Sequence, residues 1–141
     1  MTTTTATSLS LIIERDLPHP AEKVWRALTQ SPLIEKWLMK NDFQPVVGQR
    51  FNLRSDPVPN WDGVIACEVL VLEQNSRLSY SWSTMGMMST VTFTLTSTSA
   101  GTHLHMEQTG FRSKEDNAYK GATWGWNKFL GNLVDVVAKL G

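Results

Sequence analysis

Hydrophobic and polar residues change rhythm three times along this chain, and each change marks a new kind of element. Ser8 to Leu17 alternates weakly and is rich in Leu and Ile, which predicts a first strand ended by Pro18 and Pro20. Pro20 suits the first position of a helix, where a missing N–H is harmless, and Ala21, Val24, Trp25 and Leu28 follow at helical spacing. Ser31-Pro32 breaks that run. Ser31 is then the expected cap of a second short helix with Leu33, Ile34, Trp37 and Leu38 on its buried face. After Gly48 the period becomes two. Phe51 and Leu53 alternate with polar residues, and the proline-laden stretch 55–63 interrupts them. Val64 to Leu72 is a long apolar strand, with Ile65, Cys67, Val69 and Val71 expected on one face. Leu78, Tyr80 and Trp82 alternate with serines; Val91, Phe93 and Leu95 with threonines; Leu104 and Met106 with His103, His105 and Glu107. Short turns at Asn75-Ser76 and Ala100-Gly101 make this an antiparallel meander with one wet face. Helical period returns at the end. Ser113 is the expected cap, and Trp126, Phe129, Leu130, Leu133, Val137 and Leu140 form one apolar stripe on a helix of about 25 residues. Such a helix needs a large apolar partner, and the dry face of the meander is the candidate.

Composition narrows the class. The 141 residues suit one domain, read as 8–141, behind a short disordered tail at 1–7. Lys plus Arg equals Asp plus Glu, so the formal net charge is zero. That argues against nucleic acid or an anionic membrane as the main partner, since both call for clustered positive charge. The lone Cys67 forms no intrachain disulfide, and no apolar run reaches the roughly 18 residues of a membrane span. A cytoplasmic location follows as the default, with monomer and dimer both open.

Few residues invite catalytic readings. His103, His105 and Glu107 share one face of a strand, and a His-x-His pair can chelate zinc. That face lies opposite Leu104 and Met106, so these side chains are expected in solvent, with no metal bound. Cys67 sits among aliphatic residues, the setting of an inert buried thiol. His19, between two prolines, reads as a surface residue. No nucleophile elbow, phosphate loop or dinucleotide fingerprint occurs, and no cofactor is expected. Trp61 stands in the proline-rich loop, where it either caps an interior space or anchors a partner.

The order of elements resembles the START-like, birch-pollen-allergen-like (SRPBCC) superfamily. Within it, LPHPAEKVWRALTQSPLIEKWL (17–38) resembles the opening motif of the branch containing the activator of the Hsp90 ATPase. Val24-Trp25, Ala27-Leu28-Thr29, Ser31-Pro32 and Trp37 carry the match. RLSYSW (77–82), STVTFTL (89–95), GTHLHMEQTGF (101–111) and Gly125-Trp126 extend it. The resemblance implies an α+β helix-grip fold: a curved antiparallel sheet of about six strands around the C-terminal helix.

It also implies a cavity for an apolar small molecule between sheet and helix. The sheet side would present Tyr80, Trp82, Val91, Phe93, Leu95, Leu104, Met106 and Gln108. The helix side would present Trp126, Phe129, Leu130 and Leu133, with Trp37, Met85 and Met87 near the rim. The residues alone leave a filled core equally open. Gly121, Gly125 and Gly131 either bring the helix close to the sheet or leave room for a ligand. The resulting expectation is a non-catalytic binding domain. Two alternatives stand beside it: a chaperone-interacting module working through its outer surface and Trp61, and a cyclase- or hydrolase-type enzyme using Tyr80 and Gln108.

Overall fold

The computed structural model describes residues 9–57, 59, 61–84 and 86–140. The tail at 1–7 and Met85 lie outside the described residues. In chain order the elements are β1 (Leu9–Leu17), α1 (Ala21–Thr29), α2 (Ser31–Trp37), β2 (Lys40–Asn41), β3 (Arg50–Arg54), β4 (Val64–Glu73), β5 (Arg77–Thr84), β6 (Met87–Thr98), β7 (Gly101–Phe111) and α3 (Asn117–Lys139). The strands form one antiparallel sheet of seven, ordered β1-β7-β6-β5-β4-β3-β2. The seventh is β2, a two-residue strand paired with β3, too short for any alternation to register. From β2 to β7 each strand pairs with its neighbour in sequence. The exception is β1, which closes against β7 with Ile13 opposite Met106.

Period-two alternation puts Leu11, Ile13, Phe51, Leu53, Ile65, Cys67, Val69, Tyr80, Phe93, Leu104 and Met106 on the concave face, all buried. The α3 stripe Trp126, Leu130, Leu133 and Val137 lies against them, and each of the four is 2% exposed or less. The paired short helices complete the layer. Val24, Leu28, Ile34 and Trp37 are buried, and the Trp37 indole N–H donates to the Ala27 carbonyl at 2.8 Å, tying α2 to the end of α1. No helix among the described residues is long and apolar enough to cross a membrane.

Several boundaries differ from the sequence expectation for local physical reasons. Register slips between Val69 and Val71, so the alternation of β4 inverts there. Val71 therefore leaves the face of Ile65 and Cys67, and Leu72 takes the place opposite Leu78. Pro20 and Gln30, both extended, occupy the flanking cap positions of α1 and α2. Ser31 is instead the first residue of α2, and its hydroxyl donates to the Asn41 carbonyl at 3.2 Å while the Asn41 amide donates back to the Ser31 carbonyl. Ser113 caps a separate turn, accepting the Glu115 backbone N–H; α3 begins four residues later, behind Asp116. The helix has 23 residues, about 35 Å at 1.5 Å per residue.

Candidate ligand-binding cavity

The long helix is packed on the sheet over only part of its length. From Trp126 onward its large apolar residues seat in the core, whereas Ala118, Gly121, Ala122 and Gly125 turn small side chains toward the sheet. These four recur at spacings of three and four and share one helix face. A Cβ built on Gly121 would meet nothing within 4 Å, and one on Gly125 would meet only the Phe129 ring at 3.6 Å. These two glycines thus leave space, which resolves the choice the sequence left open for them. Gly131, exposed on the other side, takes no part.

The space is a cavity of about 550 Å³ between the first half of α3, the concave sheet and the loop before β4. That volume is of the size that holds small-molecule ligands. Trp82 and Met87 form its wall on the β5–β6 hairpin, Phe111 and Gln108 on β7, and Trp126 and Phe129 on α3. The rings pack on one another. Trp82 and Trp126 have centroids 5.2 Å apart, and Phe129 meets Trp126 edge-on at 5.9 Å. Trp61 closes one side: its indole N–H donates to Thr84 Oγ1 at 2.9 Å, and that hydroxyl donates to the Val64 carbonyl. At the rim Trp124 is 70% exposed, with the Lys128 ammonium 5.4 Å from its ring centre.

Polar groups on this wall are few. Besides Thr84 and Asn117 there is Gln108, only 2% exposed. An indole nitrogen can only donate, so the Trp126 N–H at 2.7 Å must face Oε1 of Gln108, which leaves Nε2 to donate to Ser89 Oγ at 2.9 Å. The Ser89 hydroxyl donates onward to the Trp82 carbonyl at 3.3 Å. This chain ties β7, β6, β5 and α3 together directly behind the aromatic wall. No ionisable side chain lines the cavity among the described residues.

Of the residues singled out from the sequence, Trp82, Met87, Gln108, Trp126 and Phe129 are brought together on the cavity wall. Trp37, Tyr80, Val91, Phe93, Leu95, Leu104, Met106, Leu130 and Leu133 lie in the packed core beneath it, all 6% exposed or less. The difference has a simple cause. All of them share the inward phase, but α3 covers the sheet tightly over its second half and stands off over its first. Sequence reasoning missed Met39, Ile65, Thr84, Phe111, Asn117, Trp124 and the two alanines as lining residues. The small-residue stripe just before the apolar stripe was the available signal.

The remaining candidates fall elsewhere. His103 lies on the outer face, its two ring nitrogens each 2.8 Å from a carboxylate, Asp16 at Nδ1 and Glu14 at Nε2. Hydrogen bonds to Asp16 first and Glu14 second raise its pKa. Cys67 is buried, and desolvation, helped by Asp42, pushes its thiol up to about 12, so it stays protonated. Tyr80 is buried and its hydroxyl is held well above its ordinary pKa by desolvation. It is absent from the cavity wall.

A curved sheet gripping a long terminal helix, with a cavity under the helix's first half, defines a helix-grip domain of the START-like class. A family model, Activator of Hsp90 ATPase homolog 1-like protein, matches residues 18–138, and the chain belongs to that family. Among solved structures it is similar to protein MLL2253 from Mesorhizobium loti, at 49% identity and a TM-score of 0.87, covering 94% of this chain and 99% of that one. It is also similar to Bacillus halodurans protein BH1534, at 27% identity and a TM-score of 0.77, with 93% and 99% covered. CalU16 from Micromonospora echinospora shares the fold, at 24% identity and a TM-score of 0.78, with 94% and 78% covered. Among curated proteins, none matches.

Proposed function

We propose that residues 8–141 act as one binding domain for an apolar small molecule, held in the cavity between the sheet and the first half of α3. The observation that carries this reading is a cavity of about 550 Å³ with a largely apolar wall and no ionisable lining side chain among the described residues. Burial of apolar ligand surface against such a wall is the driving force available, at roughly 25 cal/mol per Å² before the costs of association. General acid–base chemistry needs a titratable group within reach of the substrate, and the described residues of this wall supply none. Tyr80, the acid–base candidate of the enzyme alternative, is sealed in the core. The family name points to chaperone regulation as a second possibility, with Trp61 as a candidate contact. Its indole is instead turned toward Thr84 and the cavity, which favours a ligand-binding role for it.

Native mass spectrometry of the purified protein, followed by denaturing extraction, tests the reading. A co-purifying apolar molecule near unit stoichiometry is the expected result. Binding that survives unchanged in a folded Gly121→Leu variant, whose new side chain enters the empty space beside the helix, would count against this cavity as the site.

A further inference from the structure

Among the described residues, Gln108 is the amide on the cavity wall that is almost wholly buried. Its amide orientation is not free. Trp126 fixes Oε1 as the group accepting the indole N–H, and Ser89 takes one of the two hydrogens on Nε2. The second Nε2 hydrogen meets no protein acceptor among the described residues. The two unsatisfied positions of this amide are unequal in cost. A carbonyl oxygen with one of its two lone pairs engaged is common inside proteins, but a buried N–H without an acceptor is rare and unfavourable. The residues that share the wall with it, among them Trp82, Phe129 and Met87, bring mainly apolar side chains.

We infer that Gln108 determines specificity: its second amide N–H selects an apolar ligand whose buried end carries an accepting oxygen, such as a ring ketone, and no donor. This rests on the cavity reading above and adds the polar group that orients the ligand. A ligand donor at the same place would face an N–H and would have to share Oε1 with the Trp126 indole. A wholly apolar ligand would leave the N–H unpaired.

Three flat tricyclic probes of nearly one shape separate the possibilities: fluorene with no polar edge, fluorenone with an acceptor, and carbazole with a donor. Calorimetric titration of the whole protein is expected to rank fluorenone first, about fivefold tighter than fluorene, as one neutral hydrogen bond allows. Carbazole should bind no better than fluorene. In Gln108→Met the advantage of fluorenone over fluorene should vanish, whereas a purely structural role would weaken both probes alike and keep their ratio. With the unsubstituted protein, one Gln108 side-chain amide proton should move downfield in NMR spectra with fluorenone and not with fluorene, a readout that needs no variant. Equal affinities for all three probes, a preference for carbazole, or a stationary Gln108 amide would overturn the inference while leaving the cavity as a site. Failure of every probe to bind would overturn the inference together with the reading beneath it.

Discussion

The indole N–H of Trp126 donates to Oε1 of Gln108 across 2.7 Å, joining the middle of α3 to β7 where the packed core gives way to the cavity. Both side chains are 2% exposed. Little of either side chain is open to bulk solvent, and the bond sits at the point where the helix begins to stand off from the sheet.

Breaking this bond from one side should be costly. Gln108→Met leaves the Trp126 N–H buried without an acceptor and is expected to lower stability by about 1–3 kcal/mol in urea unfolding. Adding Trp126→Phe should cost less in that background than in the parent, because the partner is already gone. Additive losses would mean that the two side chains act independently.

The helix glycines make the opposite prediction. Gly121→Ala places a methyl in open space on a helix and should raise stability by about 1 kcal/mol through helix propensity alone. Thermal melting checks this. A loss would show that the helix depends on closer approach at that position than the structure has.

Core and rim should separate cleanly. Phe93 is fully buried between Trp37, Tyr80 and Trp126, so Phe93→Ala is expected to cost about 3–5 kcal/mol. Trp124→Ala, at a side chain 70% exposed, should cost less than about 0.5 kcal/mol. If the rim substitution proved as costly as the core one, the packing boundary described here would be misplaced.

A pH dependence follows from His103. Its pKa is raised in the folded protein by hydrogen bonds to Asp16 and Glu14, so its contribution to stability is fully present below the ordinary value of 6.5. The contribution fades as pH rises through the higher folded-state value. The unfolding midpoint of His103→Gln should thus fall below that of the parent at pH 5.5, and the gap should close in alkaline buffer. A gap that widens with pH would reverse the sign of the coupling.

The thiol of Cys67 offers a readout of local opening. With its pKa pushed up to about 12 and its side chain buried, it should resist thiol reagents at pH 8 in the native state and react on unfolding. Fast labelling of the native protein would reveal opening of β4 against β3.

Much of the fold was legible because the elements from β3 onward are local in their pairing. Alternation in residues such as Leu78, Tyr80 and Trp82 declares a strand, and a short turn leaves one antiparallel neighbour within reach. The β4 bulge hid in the same run, since Val69, Leu70, Val71 and Leu72 are all apolar and an inverted phase leaves no polar marker. The closure of β1 on β7 links residues about a hundred positions apart, and no local pattern encodes a pairing at that separation.

By itself the sequence determined the dry face of the strands apart from the two-residue β2 and the part of β4 beyond its bulge, the stretch that forms the last helix, and that His103 and His105 point outward. Each of these depends on the period of a local pattern, which the backbone geometry of strands and helices imposes. Tertiary structure alone decided that Tyr80 and Phe93 are core while Trp82 and Gln108 border a cavity, although all four share one inward phase. The reason is distance: pattern tells a side chain which way to point, but only the standoff of α3 at Gly121 and Gly125 settles whether it meets another atom or empty space.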